Sequence, residues 1–211
     1  MRNNIILIWM PWSGKSTLAK KLWSAIQYPV IDIDDYMEKL LWISVWEILK
    51  WLWEKEFLEF ENKVTLDLKP KNTIISCSWS IPLSTEAMDY LRSIWYSILI
   101  DTPLDVIKSR LKRMKVDRII WMADWKMTID EILDYRKSFY DISYDYAFKN
   151  NWIWTKQETF VEFFKYFMKL PFIEKHAIEA NLDVMNDIYD NYDLVKKKIL
   201  LSREKNIERL N

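Results

Sequence analysis

Ile5-Ile6-Leu7-Ile8, an apolar run of strand length, leads into Trp9-Met10-Pro11-Trp12-Ser13-Gly14-Lys15-Ser16-Thr17. A phosphate-binding loop requires Gly, any four residues, Gly-Lys and then Ser or Thr, set between a buried strand and a helix. The back half is intact here, and Trp9 stands where the first glycine belongs. In such a loop successive backbone N–H groups curl around the β-phosphate and pass it to the positive end of the following helix. A lysine reaches the β- and γ-phosphates and a hydroxyl binds Mg²⁺. Lys15 and Ser16 fill those two positions, with Trp12, Ser13, Gly14 and Thr17 expected around the nucleotide. The loop also needs positive φ and bare backbone, which glycine allows and an indole resists. Trp12 would occupy the space meant for phosphate.

Composition offers a resolution. At roughly 7% glycine an average chain of this length would hold about 15, whereas this one has 1 Gly and 13 Trp. Without the tryptophans the aromatic residues are 11 Tyr and 9 Phe, an ordinary level. We read the Trp letters as glycines: a gene whose UGA codons specify glycine, translated with UGA as tryptophan, has this composition. Asp124-Trp125 and Asn151-Trp152 then become Asp-Gly and Asn-Gly turns. Trp23 becomes a glycine ending the helix after the loop, and Trp51-Leu52-Trp53 a flexible connection. Trp46 fits least well, because it lies inside a helical pattern. The competing reading is a chain that buries its indoles in a core or a partner site.

The 211 residues suffice for one well-packed domain with an appendage. With 31 basic and 31 acidic residues the net charge is zero, so nothing electrostatic favours nucleic acid or an anionic membrane. No apolar run approaches the ~20 residues of a membrane span, and no signal-peptide pattern opens the chain. The lone Cys77 excludes an internal disulfide and fits a reducing compartment. The expectation is a cytoplasmic monomer.

Strands are expected at 5–8, 29–35, 73–77, 96–101 and 146–149, with helices from Ser16 to Leu22, across 35–60 with a break near 51–53, and at 84–91, 103–114, 130–140 and 155–170. This alternation predicts an α/β fold, a three-layer, doubly wound parallel sheet. Residues 115–128, polar and turn-rich, predict a lid. Residues 1–170 form the expected domain and 171–211 a charged helical extension in which no chemistry is evident; His176, the only histidine, reads as a surface helix residue.

With glycine at the Trp positions, residues 4 to about 169 resemble shikimate kinase, a small P-loop kinase family. The loop becomes Gly-Met-Pro-Gly-Ser-Gly-Lys-Ser-Thr, and Val30-Ile31-Asp32-Ile33-Asp34 is similar to the family's pair of aspartates. Trp42-Ile43-Ser44-Val45-Trp46-Glu47-Ile48 and the segment from Trp53 to Glu61 resemble two further stretches, and Ser76-Cys77-Ser78-Trp79-Ser80 a strand ending in Thr-Gly-Gly-Gly. Arg110, Arg118 and Arg136 fall in the order of the family's adenine-side, lid and substrate arginines.

The resemblance implies ATP and Mg²⁺ as cofactors and a small hydroxyl-bearing substrate, shikimate above others. It implies Lys15, Asp34 and Arg118 as catalytic groups, with Arg118 closing over the phosphates and Asp34 accepting the substrate hydroxyl's hydrogen bond. Ser16 would ligate Mg²⁺ and Asp32 a metal-bound water, Mg²⁺ keeping several waters. Arg110 would stack on adenine. Ser78, Trp79 and Ser80 would line the acceptor site, and Arg136 would pair with its carboxylate.

Some residues depart from the pattern. Leu58 stands where the family carries a second carboxylate-binding arginine, with Lys55 one turn earlier as a partial substitute, and no arginine occurs from Asn3 to Leu91. The lid also lacks the usual proline. The arginine gap argues against a nucleoside monophosphate kinase. A gluconate-type kinase and a non-catalytic nucleotide-binding relative remain as alternatives.

Overall fold

The computed structural model describes residues 4–111, 128–151 and 154–172. Five strands form one parallel sheet in the order β2-β3-β1-β4-β5: β1 Asn4–Ile8, β2 Val30–Asp32, β3 Ile74–Ser76, β4 Trp95–Asp101 and β5 Tyr146–Lys149. Strand β1 is central, pairing Ile5 with Ile74 on one side and with Tyr96 on the other. A strand covered on both faces reads as a continuous apolar run. Accordingly, Ile5 to Ile8, Ile74, Ile75, Ile98 and Ile100 are all buried.

The helices are α1 Lys15–Ile26, α2 Ile33–Leu41, α3 Val45–Trp51, α4 Glu54–Asp67, α5 Thr85–Ile94, α6 Leu104–Leu111, α7 Ile129–Asp141 and α8 Lys156–Phe167. Right-handed crossovers carry the chain leftward from β1 to β2 over one face, and rightward from β2 to β3 and from β3 to β4 over the other. The direction therefore reverses between neighbours β1 and β3, and the loops leaving their carboxyl ends splay apart. Ligands of open α/β sheets bind in such a crevice. Helix α8 closes the α1 face with Phe160, Phe163, Phe164 and Phe167, all buried.

Three expectations change. The second strand stops at Asp32, because Asp32 is the N-cap of α2 and Asp34 and Asp35 occupy its first turn, where the helix dipole favours carboxylates. Asp34 thus comes from a helix start rather than from a strand end. Helix α1 does not end at Trp23; it continues to Ile26 and takes its left-handed cap at Gln27 (φ 58°), whose N–H donates to the Trp23 carbonyl. The helical stretch expected over 35–60 with a break near 51–53 is also interrupted at 42–44, between α2 and α3, and runs on to Asp67. The lid with Arg118, and the extension beyond Phe172, lie outside the described residues.

Candidate active site

The loop after β1 and the loop after β3 face each other across the crevice. Gly14 holds φ 104° at the N-cap of α1, a conformation that side-chain-bearing residues rarely adopt, with open space around its Cα. Lys15, the first residue of α1, turns its ammonium back onto the loop, donating to the Trp9 carbonyl (2.7 Å) and the Met10 carbonyl (3.0 Å). Burial lowers its pKa, opposed by the nearby acidic groups. The Ser13 carbonyl is anchored by Thr102 Oγ1 and Asn150 Nδ2, each at 3.1 Å. The Ser13 hydroxyl is fully buried and has no partner among the described residues. A buried, unpaired donor in this loop suits a phosphate oxygen.

Ser16 Oγ donates to Asp32 Oδ2 at 2.6 Å and lies 3.1 Å from Ser76 Oγ. A hydroxyl and a carboxylate thus converge at the residue next to Lys15, a hard-oxygen pair of the type Mg²⁺ prefers. Asp34 shares this cleft. Burial pushes its carboxyl up to about 6, and the Asp32 charge adds in the same direction while Lys15 opposes it.

Two cavities meet at the loop. One, of about 360 Å³, holds Asp32, Asp34, Ser76, Ser78, Trp79 and Ser80 among its lining. The other, of about 580 Å³, is lined by residues 12–18 with Arg110, Asn150 and Trp154. Trp12, Lys15 and Ser16 belong to both, so they stand at the boundary between the two. The structure brings Arg110 to the second cavity, where its guanidinium donates to the Trp12 carbonyl at 2.6 Å.

The acceptor side departs from expectation in three places. Ser78 and Ser80 line the cleft, but both hydroxyls donate to Glu61 Oε1, that of Ser80 at 2.8 Å. Arg136 is 2% exposed and does not reach the cleft wall. Its guanidinium lies 3.4 Å from the Trp79 ring centroid and donates to the Trp79 carbonyl at 3.2 Å. Lys55, offered as a substitute for the missing arginine, points outward to Glu59 with its side chain 88% exposed.

Glu61 is the residue that motif reading passed over. It closes the segment beginning at Trp53, but only the fold shows it buried at 2% exposure beneath the β3 loop. Burial pushes its carboxyl up to about 7; the two serine hydroxyls oppose this, as Arg136 does, while Asp34 adds to it. Tyr140 ties the two loops together, donating to the Trp79 carbonyl (2.7 Å) and lying 3.2 Å from the Trp9 carbonyl.

Glu61 makes stability depend on pH. Its folded-state pKa lies above its ordinary 4.5, so between 4.5 and about 7 the folded chain holds a proton the unfolded chain has released. The associated stability is full below that window and lost as pH rises through it, on the order of 3 kcal/mol in all. Denaturant melts across the window are expected to show this loss in the parent and a clearly shallower one in Glu61→Gln. Equal slopes would contradict it.

The family model for shikimate kinase matches residues 11–169. Threonine synthase-like 1 from Mus musculus is 35% identical over 142 residues, covering 65% of this chain and 19% of that protein, so the chain spans about a fifth of its length. Shikimate kinase from Clostridium botulinum (strain Loch Maree / Type A3) is 33% identical over 140 residues, covering 65% of this chain and 82% of that one. Among solved structures, shikimate kinase from Aquifex aeolicus has TM-score 0.62 at 25% identity, covering 78% of this chain and 95% of that one. Shikimate kinase from Acinetobacter baumannii, in complex with shikimate, has TM-score 0.65 at 18% identity over 79% and 91%, a likeness of fold.

Proposed function

The chain belongs to the shikimate kinase family, and on that premise we propose that it transfers the γ-phosphoryl group of ATP to a hydroxyl of a small polyol acid, shikimate before others. The observation that carries this reading is the meeting of Lys15, the Ser16–Asp32 pair and Asp34 where the two cavities join.

Phosphoryl transfer is mainly positioning and charge neutralisation. Lys15 exchanges two carbonyl acceptors for phosphate oxygens, which carry more charge and bind the buried ammonium more strongly. The buried Ser13 hydroxyl donates to the same phosphate chain. Ser16 would hold Mg²⁺ directly and Asp32 through water; the ion neutralises charge on the phosphates when bound. Asp34 accepts the hydroxyl proton as the acceptor oxygen bonds to the γ-phosphorus and the bond to ADP breaks. Arg110 borders the adenine side, and Arg118, outside the described residues, keeps only the phosphate-side role that the family resemblance implies. The reaction releases ADP and a phosphate monoester.

Coupled ATPase assays with shikimate, gluconate and nucleoside monophosphates test the proposal. Turnover with shikimate supports it. Nucleotide binding without turnover on any acceptor would instead favour a non-catalytic relative.

Leu58, half-buried beside Glu61 in a small cavity that Ser80 also borders, puts no cation where the family resemblance implies a second arginine. A charge-assisted hydrogen bond is worth about 1.5–3 kcal/mol, so Leu58→Arg is expected to lower KM for shikimate by roughly tenfold or more with little change in KM for ATP. An unchanged KM would show that the carboxylate does not lie there.

A further inference from the structure

We infer that Thr102 and Asn150 are positioning residues for the nucleotide: by holding the Ser13 carbonyl they preset the backbone N–H groups at the start of α1 that receive the phosphates. The inference rests on the kinase reading and adds to it two residues from outside the loop.

Both residues stand at strand ends. Thr102 directly follows β4 and Asn150 directly follows β5, and the pairing of those strands sets Asp101 beside Lys149. The Asn150 N–H donates to the Asp101 carbonyl at 2.9 Å, so the two side chains come together at the carboxyl edge of the sheet. Asn150 Nδ2 donates to the Ser13 carbonyl at 3.1 Å and to Thr102 Oγ1 at 2.9 Å. A carbonyl only accepts, so the amide must turn its NH₂ group toward Ser13. Accepting from that group leaves the threonine's one hydrogen for a carbonyl, and Ser13 at 3.1 Å is nearer than Ile100 at 3.3 Å. The loop is thus gripped by residues 89 and 137 positions away in sequence.

The gripped atom belongs to a peptide that little else restrains. Gly14 has φ 104° and open space where a Cβ would stand, so it does nothing to stop the peptide before it from turning over. That peptide is trans, and its N–H points opposite to its carbonyl. Fixing the Ser13 carbonyl therefore fixes where the Gly14 N–H points. Gly14 is the N-cap of α1, and the first N–H groups of a helix have no partner within it; they are the donors an anion meets there. The buried Ser13 hydroxyl hangs from the same residue, so one grip places both kinds of donor.

Other carbonyls of the loop are held by cations that the nucleotide recruits. The Met10 carbonyl takes the Lys15 ammonium and the Trp12 carbonyl the Arg110 guanidinium. Thr102 and Asn150 are neutral and buried, at 0% and 7% exposure, so their hold persists in the loaded loop. Asn150 also borders the second cavity, whereas Thr102 lines neither, so an effect of Thr102 on the nucleotide travels through Ser13.

Calorimetry of ATP binding in the presence of Mg²⁺, on the chain with all 13 Trp→Gly changes, tests this. Thr102→Val keeps the shape and loses the hydroxyl, and is expected to weaken ATP binding by about fivefold; Asn150→Ala deletes two hydrogen bonds and is expected to weaken it by about twentyfold. KM for shikimate stays unchanged in both. Thr102→Ser restores the hydroxyl and most of the affinity. The double variant loses less than the product of the two single losses, because both side chains act on one carbonyl. All measurements are made below the unfolding temperature of every variant, so lost stability is not read as lost affinity. Parent-like ATP affinity in Thr102→Val and Asn150→Ala overturns the inference and leaves the kinase reading standing. So does a Thr102→Ser that binds no better than Thr102→Val, or an equal loss toward ATP and shikimate. A parent chain that binds no ATP removes the kinase reading and the inference with it.

Discussion

Lys15→Ala, made in the chain with all 13 Trp→Gly changes, is expected to lower kcat with shikimate by about 10²–10³, the cost of deleting one preorganised donor from a developing anion. The loss is large because the ammonium sits in a buried loop where little water can replace it. The two carbonyls that hold it keep it aimed at the phosphate position before nucleotide arrives, so little reorganisation is left for the reaction itself. Lys15→Arg is expected to rescue little, since a planar fork does not fit a space shaped around a compact ammonium at 8% exposure. Steady-state kinetics in ATP and in shikimate measure both variants. Retention of more than a tenth of the parent kcat by Lys15→Ala would remove the lysine from the reaction.

Asp34→Asn produces the second large effect, a fall in kcat of about 10²–10⁴, the usual contribution of a positioned general base. Nucleotide affinity should hold, because Asp34 lines only the acceptor cavity. The pH profile identifies the group. Burial and the Asp32 charge raise its carboxyl to about 6, and only the ionised form accepts a proton. In the parent, kcat/KM is therefore flat at neutral pH and falls tenfold per unit as pH drops below about 6. Asp34→Asn, holding no titrating carboxyl there, loses that limb. An acid limb surviving unchanged in the variant would assign it to another group.

The two experiments probe different sides of one crevice, and the crevice explains why a single chain can couple them. Reversal of winding between β1 and β3 parts their loops. Lys15 and Ser16 on one loop thereby approach Ser76 and Ser78 on the other, with Asp32 arriving from β2 beside them. Helix α7 completes the arrangement through Tyr140, whose hydroxyl spans both loops.

The loop proposed to hold the nucleotide was legible as a motif. The Gly-Lys-Ser run is contiguous, and its chemistry depends on backbone N–H groups and a helix start that lie within a few residues. The aspartates were legible as a pair, but their setting was not: alternation suggested a strand through Asp35, whereas the helix begins at Ile33, one residue before Asp34. The acceptor side was the least legible. Ser78 and Ser80 line the cleft, yet their hydroxyls serve a carboxylate 17 and 19 residues away in sequence, a partnership that no local pattern records.

By itself the sequence determined the parallel α/β architecture, the loop on which the proposed phosphate site rests and, through one glycine against thirteen tryptophans, the doubt over its own letters. These follow from short-range rules: apolar runs make buried strands, and a loop of fixed spacing cradles phosphate. Only the tertiary structure decided that Glu61 is buried with its carboxyl pushed up to about 7, that Lys55 faces away, and that the Trp79 ring packs over Arg136. Burial and charge at a point depend on every element that converges there, and that convergence is a property of the packed sheet and its helices rather than of any one segment.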